Sequence, residues 1–171
     1  GEGAPPAGGG GGVKRITMAR KRYAIVGLGA RSAMYSDAIW DTYRDHTELV
    51  GFCDVNKTRM AYYNRLATEK YGLPPIASYN AEDFGTMLAE QRVETAIVTS
   101  VDRTHHRYII AALEAGCDVI TEKPLTVDAE KCQAIIDAQK RTGGKLTVTF
   151  NYRYAPRASK VKELIQNGAI G

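Results

Sequence analysis

Six consecutive residues, Gly27-Leu28-Gly29-Ala30-Arg31-Ser32, are of the types that cradle a phosphate group. Glycine at 27 permits a tight turn, and glycine at 29 lets the main chain come close to a diphosphate. The anion would rest on the N-terminus of the next helix, where free amides and the helix dipole favour negative charge. The third small position of the G-x-G-x-x-G pattern is Ser32, compact enough for helix–strand packing and also a good cap. The pattern alone is weak, because glycine turns without any ligand are common. It gains value only if a strand precedes it and a helix follows.

Asp54 stands 27 residues after Gly27. At the end of a second strand an acid can accept hydrogen bonds from the ribose hydroxyls of a dinucleotide. Its other reading is a helix cap, since Asp54-Val55-Asn56-Lys57 leads into a helical pattern. A carboxylate here favours NAD over NADP, although Arg31, Asn56, Lys57 and Arg59 could accommodate a ribose phosphate. Glu122-Lys123-Pro124 follows another strand, on the ligand edge of such a sheet. A cation there could orient a substrate hydroxyl or stabilise charge as a hydride leaves; a solvated Glu–Lys pair is the plainer alternative. His105 and His106 open a helix at the same edge, where a histidine could touch a ligand, act as acid or base, or be merely solvated. No metal-type spacing of His, Cys and carboxylates appears, so no metal is expected. No G-x-S-x-G nucleophile is present. The pairs Tyr62/Tyr63 and Tyr152/Tyr154 read more simply as helix packing and strand-end residues than as base-stacking platforms.

The elements that must position these groups alternate along the chain. Short apolar runs at 22–27, 48–54, 94–100, 118–121 and 145–152 read as strands, with a further extended piece at 76–78. Helices are expected at 32–43, 57–71, 81–90, 104–115 and 127–141. Gly72, Gly116 and Gly143 supply stops. β-branched runs each followed by a helix imply a parallel sheet covered on both faces, an α/β doubly wound (Rossmann) domain. After residue 153 comes a Pro-broken segment and a last amphipathic helix carrying Val161, Leu164 and Ile165. That helix reads as the start of a second α/β substrate domain, cut short. The expected organisation is therefore a glycine-rich leader or tag at 1–20, a dinucleotide domain at 21–152 and a truncated substrate domain at 153–171.

Charge excludes another class. The 171 residues carry a formal +4, but five of the 23 bases and one of the 19 acids lie before Tyr23, leaving 18 of each. A neutral body does not support binding along a nucleic-acid backbone. Seven of the 17 glycines fall in the first 12 residues, a stretch too poor in apolar surface to fold. The bases at 14–22 before the short apolar run at 23–30 invite a signal-peptide reading. Arg31 interrupts that run and no small-residue cleavage site follows, so a cytoplasmic protein is expected. Three cysteines, odd in number and without C-x-x-C spacing, read as buried thiols. No apolar run is long enough to span a bilayer, so no membrane partner is expected.

YAIVGLGARS, the acid in FCDVN, the stretch TSVDRTHHRYIIAALEAGCDVITEKPLT and the run FNYRYAP…KELIQNGAIG together resemble the Gfo/Idh/MocA oxidoreductases, the glucose–fructose oxidoreductase and inositol dehydrogenase group. The resemblance covers residues 21–171, and the segment ending in EKP is its most specific part. It implies a cofactor site of Gly27, Leu28, Gly29, Ala30, Arg31, Ser32, Asp54, Ser100, His105, Glu122 and Lys123, holding NAD or NADP with NAD favoured by Asp54. It implies that Lys123 is catalytic and stands by nicotinamide and substrate, with Tyr152 and Arg153 on the substrate side. Val101 and Asp102 replace the usual Pro and Asn of the family's TPNxxH stretch. The family's DxxxH pattern, source of the general acid/base, would lie beyond Gly171. The implied reaction is hydride transfer between the nicotinamide and a CH–OH group of a sugar, cyclitol or related polyol, in a homo-oligomer when full length. The alternative is a non-catalytic, dinucleotide-sensing regulator on the same fold.

Overall fold

A computed structural model describes residues 19–170. The expectation for the glycine-rich leader falls almost wholly on residues 1–18 and lies outside the described residues. Among the described residues six strands and six α-helices alternate: β1 (Lys21–Val26), α1 (Ser32–Asp37), β2 (Thr47–Cys53), α2 (Lys57–Tyr71), β3 (Ala77–Tyr79), α3 (Phe84–Glu90), β4 (Thr95–Val98), α4 (His105–Glu114), β5 (Asp118–Glu122), α5 (Ala129–Thr142), β6 (Leu146–Thr149) and α6 (Pro156–Gln166).

All strands are parallel, in the order β3-β2-β1-β4-β5-β6. The order reverses between β1 and β4, and the carboxyl ends of those strands open the crevice in which such sheets take ligands. Strand residues alternate between two cores because successive side chains point to opposite faces. Ala24, Val26, Ala96 and Val98 join Phe84, Met87, Ile109, Leu113 and Ile135 on one face. Ile25, Phe52 and Ile97 join Leu28, Ile39, Trp40, Met60 and Tyr63 on the other. Ile25, Phe52, Ile109 and Ile135 are wholly enclosed, and each such side chain contributes about 1.5–3 kcal/mol by leaving water.

Three details depart from the sequence reading. The helix expected at 32–43 is present, but its second half, Ala38–Thr42, widens to π-helical geometry. The piece expected to begin a helix at 81 is first a 3-10 turn, Ala81–Asp83. The last strand ends at Thr149, and Asn151–Tyr154 curls into another 3-10 turn. Tyr152 and Arg153 are therefore turn residues rather than strand-end residues. The aromatic β-formers there suggest a longer strand, but β5, the neighbour of β6, ends at Glu122 opposite Thr149, so residues past 149 have no strand beside them among the described residues.

Candidate active site

The glycine turn leaves β1 at the switch point. Gly27 has φ +89°, and a Cβ on it would lie 2.4 Å from the nitrogen and Cα of Ser100, at the end of β4. Only glycine lets the two chain segments meet so closely. At Gly29 the situation is reversed, because nothing lies within 4 Å of where its Cβ would be. Among the described residues no acceptor takes the amides of Gly29, Ala30 or Arg31, whereas the Ser32 amide turns back to the Gly29 carbonyl at 3.2 Å. An open face lined by free amides at a helix start fits a diphosphate.

Side chains behind the turn hold it in place. Ser32, wholly buried, donates to the Gly29 carbonyl at 2.7 Å. The Tyr63 hydroxyl, on α2, reaches that carbonyl at 3.0 Å and lies 2.8 Å from Ser32 Oγ. Leu28 gives its side chain to the core, and its amide donates to Asp54 Oδ2 at 2.6 Å. Asp54 Oδ1 accepts the Asn56 amide at 2.7 Å. The cap of α2 is not Asp54 but Asn56, whose Oδ1 accepts the amides of Thr58 at 2.9 Å and Arg59 at 3.2 Å. Asp54 is only 4 % exposed, yet a carboxylate offers about four acceptor directions. Two are committed to main-chain amides, and the rest fit ribose hydroxyls.

Next to this turn stands the end of β5. Glu122 is buried, and its Oε1 accepts from the Tyr35 hydroxyl at 3.0 Å and faces Arg31 Nε at 3.4 Å. Tyr35 also lies 2.9 Å from Thr149 Oγ1 on β6. Burial above all, with the Glu122 charge beside it, pushes the Tyr35 phenol up to about 12. It therefore stays a donor at neutral pH. Glu122 is thus a brace between the glycine turn, β5 and β6. Lys123 is exposed, and the peptide joining it to Pro124 is cis. His105 is 1 % exposed, with Nδ1 2.9 Å from the Pro124 carbonyl and Nε2 3.0 Å from the Ser100 carbonyl. Both ring nitrogens face main chain, which leaves none for direct contact with a ligand.

Arg31, Lys123, Phe150, Asn151, Tyr152 and Arg153 surround a cavity of about 540 Å³ on this edge. The structure thus gathers four expected residues, Arg31, Lys123, Tyr152 and Arg153, around one opening. Ser32, Asp54, His105 and Glu122 do not line it; they are buried and bonded to the glycine turn or to the segments beside it. Sequence reasoning missed Tyr35, Tyr63 and Thr149. The available signal was the helical spacing of Ser32 and Tyr35: an aromatic with a polar tip on an inward face needs a partner. Of the three thiols expected to be buried, Cys53 and Cys117 are, whereas Cys132 on α5 is only half-buried. Burial and the nearby Asp54 push Cys53 up to about 12, and burial likewise raises Cys117.

The family model described as "Oxidoreductase family, NAD-binding Rossmann fold" matches residues 21–150. The chain is 31% identical over 159 residues to D-glucoside 3-dehydrogenase of Escherichia coli (strain K12), a match covering 91% of this chain and 42% of that protein. It is 29% identical over 151 residues to inositol 2-dehydrogenase/D-chiro-inositol 3-dehydrogenase of Lactiplantibacillus plantarum, covering 88% and 41%. Among solved structures, the WlbA dehydrogenase from Bordetella pertussis in complex with NADH and UDP-GlcNAcA superposes with a TM-score of 0.71 at 27% identity, covering 90% of this chain and 44% of that one. The chain therefore spans about two fifths of the length of the relatives it matches.

Proposed function

Because the chain belongs to the Gfo/Idh/MocA oxidoreductase family, we propose that residues 21–152 hold NAD along the β1–β4 switch point and present Lys123 to the CH–OH group of a sugar, cyclitol or related polyol. The observation that carries this reading is the cavity in which Arg31, from the glycine turn, and Lys123, from the end of β5, face one opening. A dinucleotide lying on the turn would bring its reactive end to the lysine. The open face at Gly29 takes the diphosphate, and Asp54 takes the adenosine ribose. A ribose phosphate beside that buried carboxylate would be repelled, which favours NAD over NADP.

NAD held there would supply a hydride acceptor for the carbinol carbon. Lys123 orients the hydroxyl on that carbon and eases loss of its proton through its positive charge. Tyr152 and Arg153 form the substrate wall. The base that removes the proton, and the surfaces that tell one polyol from another, belong to a second domain. The full-length protein works in the cytoplasm as a homo-oligomer.

The test has two parts. NAD and NADP are titrated into the chain, with NAD expected to bind at least about tenfold more tightly, roughly 1.4 kcal/mol. The full-length protein is then assayed for NADH formation against a panel of cyclitols and sugars. Lys123→Ala is expected to lower turnover by about 100-fold or more while leaving NAD affinity within about twofold. A dinucleotide sensor on the same fold would bind NAD and leave every polyol unoxidised.

A further inference from the structure

The edge that carries Lys123 contains one enclosed imidazole to which the proposed chemistry gives no task. His105 opens α4 and is 1 % exposed. Its Nδ1 lies 2.9 Å from the Pro124 carbonyl, in the residue after Lys123, and its Nε2 lies 3.0 Å from the Ser100 carbonyl, at the end of β4. At least one ring nitrogen carries a hydrogen, so the ring donates to at least one of these carbonyls and lies within hydrogen-bond distance of both. Ser100 is also the residue on which Gly27 closes, since a Cβ at position 27 would come within 2.4 Å of its main chain. The ring thus spans from the lysine turn to the segment on which the glycine turn rests.

The other side of Lys123 is held as well. Its amide makes a long bond, 3.3 Å, to Glu122 Oε2, and Tyr35 and Arg31 fix that carboxylate. The main chain is therefore gripped before and after Lys123, while the exposed lysine side chain lines the cavity and has no hydrogen-bond partner among the described residues. An enclosed ring with both nitrogens on main-chain carbonyls cannot meet substrate. Its influence on a reaction must pass through what it holds.

We propose that His105 is the positioning residue for Lys123: by fixing the Pro124 carbonyl against the Ser100 carbonyl it sets where the lysine amine stands relative to the dinucleotide. This rests on the reading of Lys123 given above. Displacement of a reacting group by about 1 Å costs on the order of 100-fold in rate, so a loosened turn would be visible in turnover without any loss of cofactor binding.

The experiment is a double-mutant cycle on the full-length protein at saturating NAD. His105→Leu keeps bulk and removes the donor; His105→Gln keeps a donor and serves if the leucine variant fails to fold. Each is made alone and together with Lys123→Ala. Expected are a fall in kcat of about 10- to 100-fold for His105→Leu, partial recovery in His105→Gln, and NAD affinity within about twofold of wild type. In the Lys123→Ala background neither His105 change lowers kcat further, because residues acting as one unit are not additive. A His105 loss of equal size in both backgrounds overturns the proposal, as does a loss confined to NAD affinity. If Lys123→Ala itself leaves kcat unchanged, it is the reading of Lys123 that fails.

Discussion

The Asp54 carboxylate, at the end of β2, accepts the Leu28 amide at 2.6 Å and so ties the glycine turn to the neighbouring strand. The same carboxylate takes the Asn56 amide at 2.7 Å. One buried acid thus holds two loops and still has acceptor directions to offer.

Asp54→Ala should therefore be costly twice. The buried Leu28 amide loses its acceptor, at about 1–3 kcal/mol, the half-buried Asn56 amide loses one as well, and the melting temperature should fall by several degrees. Isothermal titration should show NAD affinity falling by about tenfold or more, with the preference over NADP narrowed. Equal and unchanged affinities for both dinucleotides would remove Asp54 from the ribose site.

The two glycines of the turn should separate stability from binding. Gly27→Ala places a methyl group against the Ser100 main chain at a positive φ, and strain plus overpacking should cost about 2–4 kcal/mol. Gly29→Ala meets only open space, so its melting temperature should stay near wild type while NAD affinity falls. Thermal melts beside NAD titrations check both. Normal binding by a stable Gly29→Ala variant would argue against the diphosphate lying there.

Alkaline pH should destabilise the chain for an identifiable reason. Tyr35, ordinarily near 10.0, is pushed up to about 12, chiefly by burial, and Cys53, ordinarily near 9.0, is likewise pushed up to about 12. Both keep their protons in the folded chain at a pH where the unfolded chain has lost them. Stability is therefore fully present below about pH 9 and is lost as pH rises toward 12. Melting temperatures from pH 8 upward should show this decline, made shallower in Tyr35→Phe and in Cys53→Ala. At pH 7, Tyr35→Phe should still cost about 1–3 kcal/mol, because Glu122 loses a donor.

On the acid side, Asp118 and Asp128 are both lowered, and Asp118 is the one that joins distant strands. Its carboxyl is held below the usual value, first by the hydrogen bond from Lys21 at 3.0 Å and also by the Lys145 amide. A lowered carboxyl stabilises the fold above its unfolded value, near 3.8, and that contribution fades as pH falls below about 4. Asp118→Asn should flatten the acid limb of the melting curve and leave NAD binding alone. An unchanged acid limb would show that the pair contributes nothing to folding.

The alternation of strands and helices was legible from residue 21 onward because parallel strands buried on both faces leave continuous apolar runs. The rim of the site was legible too: Arg31 and Lys123 lie next to motifs whose spacing is local. What the sequence did not reveal was which polar side chains turn inward. Tyr35 meets Glu122 and Thr149 across 87 and 114 positions, and no local pattern carries such a pairing. Asp54 and Asn56 are both good caps two residues apart, so choosing between them needs the path of the chain. The motif points His105 at the cofactor, whereas packing turns both its ring nitrogens to main-chain carbonyls.

The supports of the crevice largely end on main-chain atoms: the Leu28 and Asn56 amides and the carbonyls of Gly29, Ser100 and Pro124. Every amino acid except proline brings the same amide, and all bring the same carbonyl. Side chains on the rim can therefore drift without undoing the scaffold, provided Ser32, Asp54, Tyr63 and His105 stay. Such an arrangement decouples evolvability from foldability. New specificities can be tried at Arg31, Tyr152 and Arg153 while the frame beneath keeps its shape.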